Sequence, residues 1–147
     1  MSNEAMQNIG DALIEQCPDA IIFSDITGII RTWNSAAVKI FGFTKEQAIG
    51  ANLDIIVPES YRKAHWLGFE RAIAEAKTKY VGQSLPTKSL KADGSSIYVE
   101  LSFSIVLDSD DVVLGALSSA RDITERFKKE REDRRRLKEL ESAGRQV

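Results

Sequence analysis

The chain is poor in the residues from which stapled or metal-centred scaffolds are built. In 147 residues it holds one cysteine, Cys17, and one histidine, His65, with 3 prolines and 9 glycines. A single thiol excludes an internal disulfide, a Cys-x-x-Cys-His attachment motif and a thiolate zinc cage, and it suits a reducing compartment. A single imidazole excludes a two-histidine metal site and leaves any Ser-His-Asp machine only one base to be built around. No sign of charge dominates. The 20 Lys and Arg against 22 Asp and Glu give a net charge of −2, so nothing global draws the chain to nucleic acid or to an anionic membrane. No apolar run approaches the ~20 residues that span a bilayer, and the start MSNEAMQN lacks both the basic and the apolar part of a leader peptide. Nucleophile and phosphate-loop motifs are absent as well. The expectation is a cytoplasmic protein that is not an enzyme.

What is present is a soluble composition, 43% hydrophobic and 29% charged, of a length that fits one domain of ordinary size. Glu4 to Gln16 spaces Ile9, Leu13 and Ala5 or Ala12 along one side of a helix that Cys17-Pro18 stops. Ala20 to Asp25 and Ile29 to Trp33 are β-rich runs joined by a turn at Gly28. Asn34 is placed to cap a helix over Ser35 to Phe41 that Gly42 ends, and Thr44 with Gln47 forms a capping box for a second short helix closed by Gly50. Tyr61 to Lys77 is the longest internal helical run, with an expected inner stripe of Tyr61, Ala64 or His65, Gly68, Ala72, Ile73 and Ala76. Strands follow over Val81 to Leu90, over Ile97 to Leu107 after the turn at Asp93-Gly94, and over Val112 to Asp122. In the middle one, Ile97, Val99, Leu101, Phe103 and Ile105 alternate cleanly, so one of its faces is buried. Two strands, several helices and three strands make an α+β fold with an antiparallel sheet covered by helices on one face.

A charged helix over Ile123 to Glu141 closes the chain. Ile123, Phe127, Leu137 and Leu140 fall near heptad spacing, but Glu130 and Arg134 occupy the seam, which predicts weak self-association through this helix alone. Arg134-Arg135-Arg136 is hemmed in by acidic residues and reads as a solvated face rather than a nucleic-acid contact.

Together these pieces resemble a PAS domain of the sensory-box type, from about Pro18 to Arg126. The likeness is carried by PDAIIFSDITGIIRTWNSAAVKIFGFTKEQAIG, KADGSSIYVELSFS and SARDITER, and within them by Asn34 with its two alanines, Gly42-Phe43-Thr44, Asp93-Gly94 and Arg121-Asp122-Ile123-Thr124. The resemblance implies a five-stranded antiparallel sheet in the order 2-1-5-4-3 with a helical wall around a small pocket. It divides the chain into an N-terminal flanking helix (1-17), a sensor domain (18-122) and a C-terminal linker helix (123-147). It also implies a homodimer formed through the N-terminal helix and the sheet face, with Tyr98 on that face. No output domain follows residue 141, so the chain reads as a stand-alone sensor or as the sensor piece of a longer one.

The pocket narrows the resemblance further. Where flavin-binding members place their reactive cysteine, this chain has Ala51-Asn52-Leu53-Asp54-Ile55-Ile56, so no flavin is expected. Pro58-Glu59-Ser60-Tyr61-Arg62-Lys63-Ala64-His65 is similar instead to the run leading to the proximal histidine in haem-binding oxygen-sensor members of the rhizobial kinase type. The resemblance then implies haem b with His65 as metal ligand, Arg71 and Lys79 near its propionates, and Leu101 and Phe103 as an apolar wall. Leu85 stands where those sensors carry a polar arginine, with Tyr80 and then Gln83 the nearest polar side chains. An apolar distal side shifts preference from dioxygen towards CO and NO. A lone histidine on a helix is also an ordinary structural residue, so a cofactor-free dimerisation and protein-interaction module stands beside the haem reading.

Overall fold

A computed structural model describes residues 8–79 and 82–145. The element order runs α1 (Ile9–Gln16), β1 (Ala20–Asp25), β2 (Ile30–Trp33), α2 (Ser35–Phe41) and α3 (Lys45–Ala48). Two 3₁₀ turns follow at Leu53–Ile56 and Glu59–Tyr61, then α4 (Arg62–Glu75), β3 (Ser84–Leu90), β4 (Ser96–Leu107), β5 (Val113–Asp122) and α5 (Thr124–Arg145). The strands form one antiparallel sheet in the order β2-β1-β5-β4-β3, the order the sequence resemblance implies. Pro86 lies in β3, an edge strand, the part of a sheet in which proline is tolerated.

Local chemistry sets the helix ends as expected. Asn34 Oδ1 accepts from the Ala37 N–H at 3.0 Å, and Gly42 ends α2 with φ +83°. Thr44 and Gln47 form a reciprocal capping box on α3. At the sheet's exit, Asp122 Oδ1 accepts from the Thr124 N–H at 2.9 Å, and α5 runs on to Arg145 rather than stopping near 141. Of the expected N-terminal helix, residues 4–7 lie outside the described residues, and the remainder is α1. The third expected strand starts at Ser84 rather than at residue 81, which is not among the described residues.

Because directly opposed residues of paired strands share a face, the registers assign the inner side of the sheet. Ile30, Ser24, Ala116 and Ile105 form one row. Trp33, Ile22, Ser118 and Phe103 form the next, and Ala20, Ala120, Leu101 and Leu85 the third. The buried core is Ala20, Ile22, Ile30, Trp33, Phe41, Leu53, Phe69, Ile97, Val99 and their neighbours, between these rows and the helices. β1 and β5 approach so closely that a Cβ on Gly115 would stand 1.9 Å from the Ser24 carbonyl oxygen, which requires glycine there.

The expected inner stripe of the long helix needs correction. Tyr61 belongs to the preceding 3₁₀ turn and is 50% exposed, and Ala64 and Gly68 face solvent. The inward residues are His65, Trp66, Phe69, Ala72 and Ile73, at i, i+1, i+4, i+7 and i+8. Apolar content is spread almost evenly around this helix, so its sequence does not mark the face. Its partners do: the Trp66 ring lies on Gly28 and its Nε1–H donates to Asp54 Oδ1 at 2.8 Å.

Candidate functional site

His65 sits one turn into α4, half-buried between two aromatic neighbours. Its ring centroid is 4.9 Å from that of Trp66 in an edge-on arrangement and 6.1 Å from that of Phe69. Burial pushes the imidazole pKa below its ordinary value, and the Asp54 carboxylate pulls weakly in the other direction, so the ring is neutral at pH 7. Its Nδ1 is buried without a hydrogen-bond partner.

Across the core, Leu101 and Phe103 of β4 pack half-buried against the same cluster as Trp66 and Ile73 of α4. Leu85 is the cross-strand neighbour of Leu101 on the edge strand and is 37% exposed. The structure therefore gathers His65, Leu101 and Phe103 around one core, with Leu85 at its margin. Arg71 and Lys79 are exposed, on α4 and just beyond it. Tyr80 lies outside the described residues. Tyr98 is on the outer face of β4, stacked on Phe127 of α5 with centroids 4.0 Å apart.

Two residues at the site were not singled out by sequence reasoning. Asp54 anchors Trp66 from twelve residues away, and no local pattern signals that pairing. Ser24 did leave a signal: it is a polar residue on the inward phase of β1, after Ala20 and Ile22. It is 1% exposed, and its Oγ has no hydrogen-bond partner. Among the described residues, Ser24 Oγ and His65 Nδ1 are the buried side-chain polar atoms left unpaired. No group of three or more potential metal-binding side chains occurs among them, so any metal held here would depend on His65 and a non-protein chelate.

The PAS fold family model matches residues 8–123, and the chain belongs to that family. It is 28% identical to the sensor protein FixL of Bradyrhizobium diazoefficiens over 131 residues, which cover 89% of this chain and 25% of that protein. It is 29% identical to the oxygen sensor protein DosP of Escherichia coli over 100 residues, covering 68% of this chain and 11% of that protein. A PAS domain from Colwellia psychrerythraea superposes with a TM-score of 0.70 at 23% identity, over 82% of this chain and 98% of that one. The chain spans a quarter or less of the curated relatives it matches. The match identifies a sensory module, and no helix among the described residues is long and apolar enough to cross a membrane.

The residues around His65 fit haem b. A neutral imidazole with an unpaired ring nitrogen, set among aromatic and aliphatic side chains, is the donor chemistry that an axial position needs. Haem propionates require cations at the rim of such a pocket, and Arg71 and Lys79 are exposed cations of the right sign.

Proposed function

We propose that the chain is the sensory domain of a signalling protein and that it binds haem b through His65 as a gas sensor. The observation that carries this reading is the half-buried His65 imidazole on the core side of α4, whose Nδ1 is buried without a hydrogen-bond partner and whose neutral form burial favours. Haem b supplies, when bound, an iron that takes a diatomic gas. The chain's own residues do the rest. His65 holds the group, Leu101 and Phe103 exclude water from its apolar side, and Arg71 and Lys79 answer its carboxylates. Asp122 and Thr124 couple the end of β5 to α5: the Thr124 hydroxyl donates to Asp122 at 2.6 Å and accepts from the Tyr98 N–H at 3.1 Å. A shift of β4 or β5 against the pocket therefore reaches the exit helix directly.

The test is an absorption spectrum of the protein mixed with haemin, for the unmodified chain and for His65→Ala. A Soret band that the substitution abolishes, and that imidazole in solution restores in His65→Gly, is expected. A band unchanged in His65→Ala overturns His65 as ligand, and no band in the unmodified chain overturns the haem reading. Self-association through α1 is a second role, favoured by the exposure of Ile9, Leu13 and Ile14 at 39%, 66% and 40%.

A further inference from the structure

Asp54 lies half-buried in the 3₁₀ turn Leu53–Ile56, and that turn is tied down on two sides. Asn52 Oδ1 accepts from the Asp54 N–H at 2.8 Å, and the Leu53 N–H donates to the Gly28 carbonyl at 3.0 Å. The carboxylate is thereby held beside the β1–β2 turn, where its Oδ1 accepts from Trp66 Nε1 at 2.8 Å. Gly28 confines the Trp66 ring as well, since a Cβ there would stand 2.2 Å from it. His65 meets that ring edge-on, with centroids 4.9 Å apart. Asp54, Trp66 and His65 form one chain of contacts, from a carboxylate through an indole to the imidazole.

The hydrogen bond by itself does not need a carboxylate, because an amide oxygen also accepts from an indole N–H. What the carboxylate adds is charge. Among the described residues no cation pairs with it in a salt bridge. Arg62, which reaches the same turn, donates instead to the carbonyls of Val57 at 3.1 Å and of Asp54 at 3.4 Å. The Asp54 charge is felt at His65, where it opposes the effect of burial and favours positive charge on the ring.

We propose that Asp54 is a positioning residue for the His65 site: its bond to Trp66 fixes the wall against which the imidazole stands, and its charge sets how readily an iron held by His65 is reduced. The proposal rests on the haem reading above. Reduction adds one electron, supplied by an external one-electron reductant, and takes the porphyrin-bound iron from ferric, with one net positive charge, to ferrous, with none. A fixed anion close to the axial ligand favours the ferric state, whereas dioxygen and CO bind the ferrous one. Asp54 thereby makes gas binding conditional on reducing surroundings.

Three substitutions separate bond from charge: Asp54→Asn keeps the acceptor and removes the charge, Asp54→Glu keeps the charge, and Asp54→Leu removes both. In the ligand-free protein at neutral pH, the single histidine gives one set of imidazole proton signals. Asp54→Leu is expected to move them, because Trp66 loses its anchor, and Asp54→Asn to leave them close to their unmodified positions; unmoved signals in a folded Asp54→Leu overturn the positioning role. In the haem-loaded protein, poised with redox dyes against dithionite, Asp54→Asn is expected to raise the ferrous-to-ferric ratio at a fixed potential roughly tenfold, the order set by one unit charge across an effective dielectric constant of about 20, with Asp54→Glu staying near the unmodified chain. This second measurement stands whether or not Asp54→Leu folds. A Soret band with the same ratio in Asp54→Asn and the unmodified chain overturns the role of Asp54 while leaving the haem reading intact. Failure of the unmodified chain to form that band removes the haem reading, and the proposal with it.

Discussion

Asn34 shows how much one side chain can organise. Its Oδ1 accepts from the N–H groups of Ala37 and Ile21, at 3.0 and 2.9 Å, and its Nδ2 donates to the carbonyls of Ile14 and Asp19, at 2.8 and 3.0 Å. It thereby joins α1, β1 and α2 at a point that is 1% exposed. The cap was readable from the sequence; the other three bonds were not, because they reach residues 13 to 20 positions away. Asn34→Ala should cost about 2–4 kcal/mol in urea unfolding, more than a cap alone, since it strands buried backbone groups as well. His65 makes a pH prediction for the ligand-free protein. Its folded pKa is lowered by burial below the ordinary 6.5, so below that value the unfolded chain binds a proton that the folded one resists. Stability should therefore be fully present above pH 6.5 and fall as pH drops towards the folded value. The urea midpoint of the unmodified chain should decline between pH 7.5 and 5.5 more than that of His65→Leu; equal declines would show that other groups carry the effect.

At the scale of elements, α5 is the part most exposed to solvent and the most dependent on its first turns. Leu137 and Leu140 are 60% and 69% exposed, and surface pairs such as Arg135–Glu132 contribute little. What fixes the helix to the sheet is the Asp122–Thr124 cap and the Tyr98–Phe127 stack. Phe127→Ala should lower amide protection over the first turns of α5 while leaving β4 protected, and a double-mutant cycle with Tyr98→Ala should return about 0.5–1.5 kcal/mol. A cycle energy near zero would show that the two rings act independently. Short-range signals at element ends, the caps of α2, α3 and α5, were readable because each lies within three or four residues. The inward face of α4 was legible only in part, with His65, Ala72 and Ile73 placed rightly and Tyr61 and Gly68 not, for the opposite reason. Its direction is set by Gly28 and Asp54, far along the chain, and its own apolar residues are too scattered to mark it.

For the whole molecule, α1 matters because it leaves part of its apolar side uncovered although it is packed on the domain. It is tied down by the Asn34 bond to the Ile14 carbonyl and by Glu15, which pairs with Lys45 and Ser35, yet Leu13 remains 66% exposed. A second copy of this chain is the proposed occupant. Leu13→Asp should shift the protein from dimer to monomer in sedimentation or light scattering without altering its far-ultraviolet dichroism, whereas a monomer before and after the change would remove the dimer proposal. This substitution tests the interface more cleanly than truncation, because removing residues 1–17 would also strip a partner from Asn34.

The sequence by itself determined the α+β class, the helix caps, the turns at Gly28 and Gly94, the alternation of β4 and, through its resemblance, the sheet order. These are local patterns, set by side chains a few residues apart or by a period that one strand displays alone. Only the tertiary structure decided which face of α4 turns inward, that Trp66 and Asp54 meet, and that Ser24 and His65 carry unpaired buried polar atoms on facing layers. Burial and pairing are properties of what a residue meets across the core, and in a sheet ordered 2-1-5-4-3 those partners stand far apart in the chain.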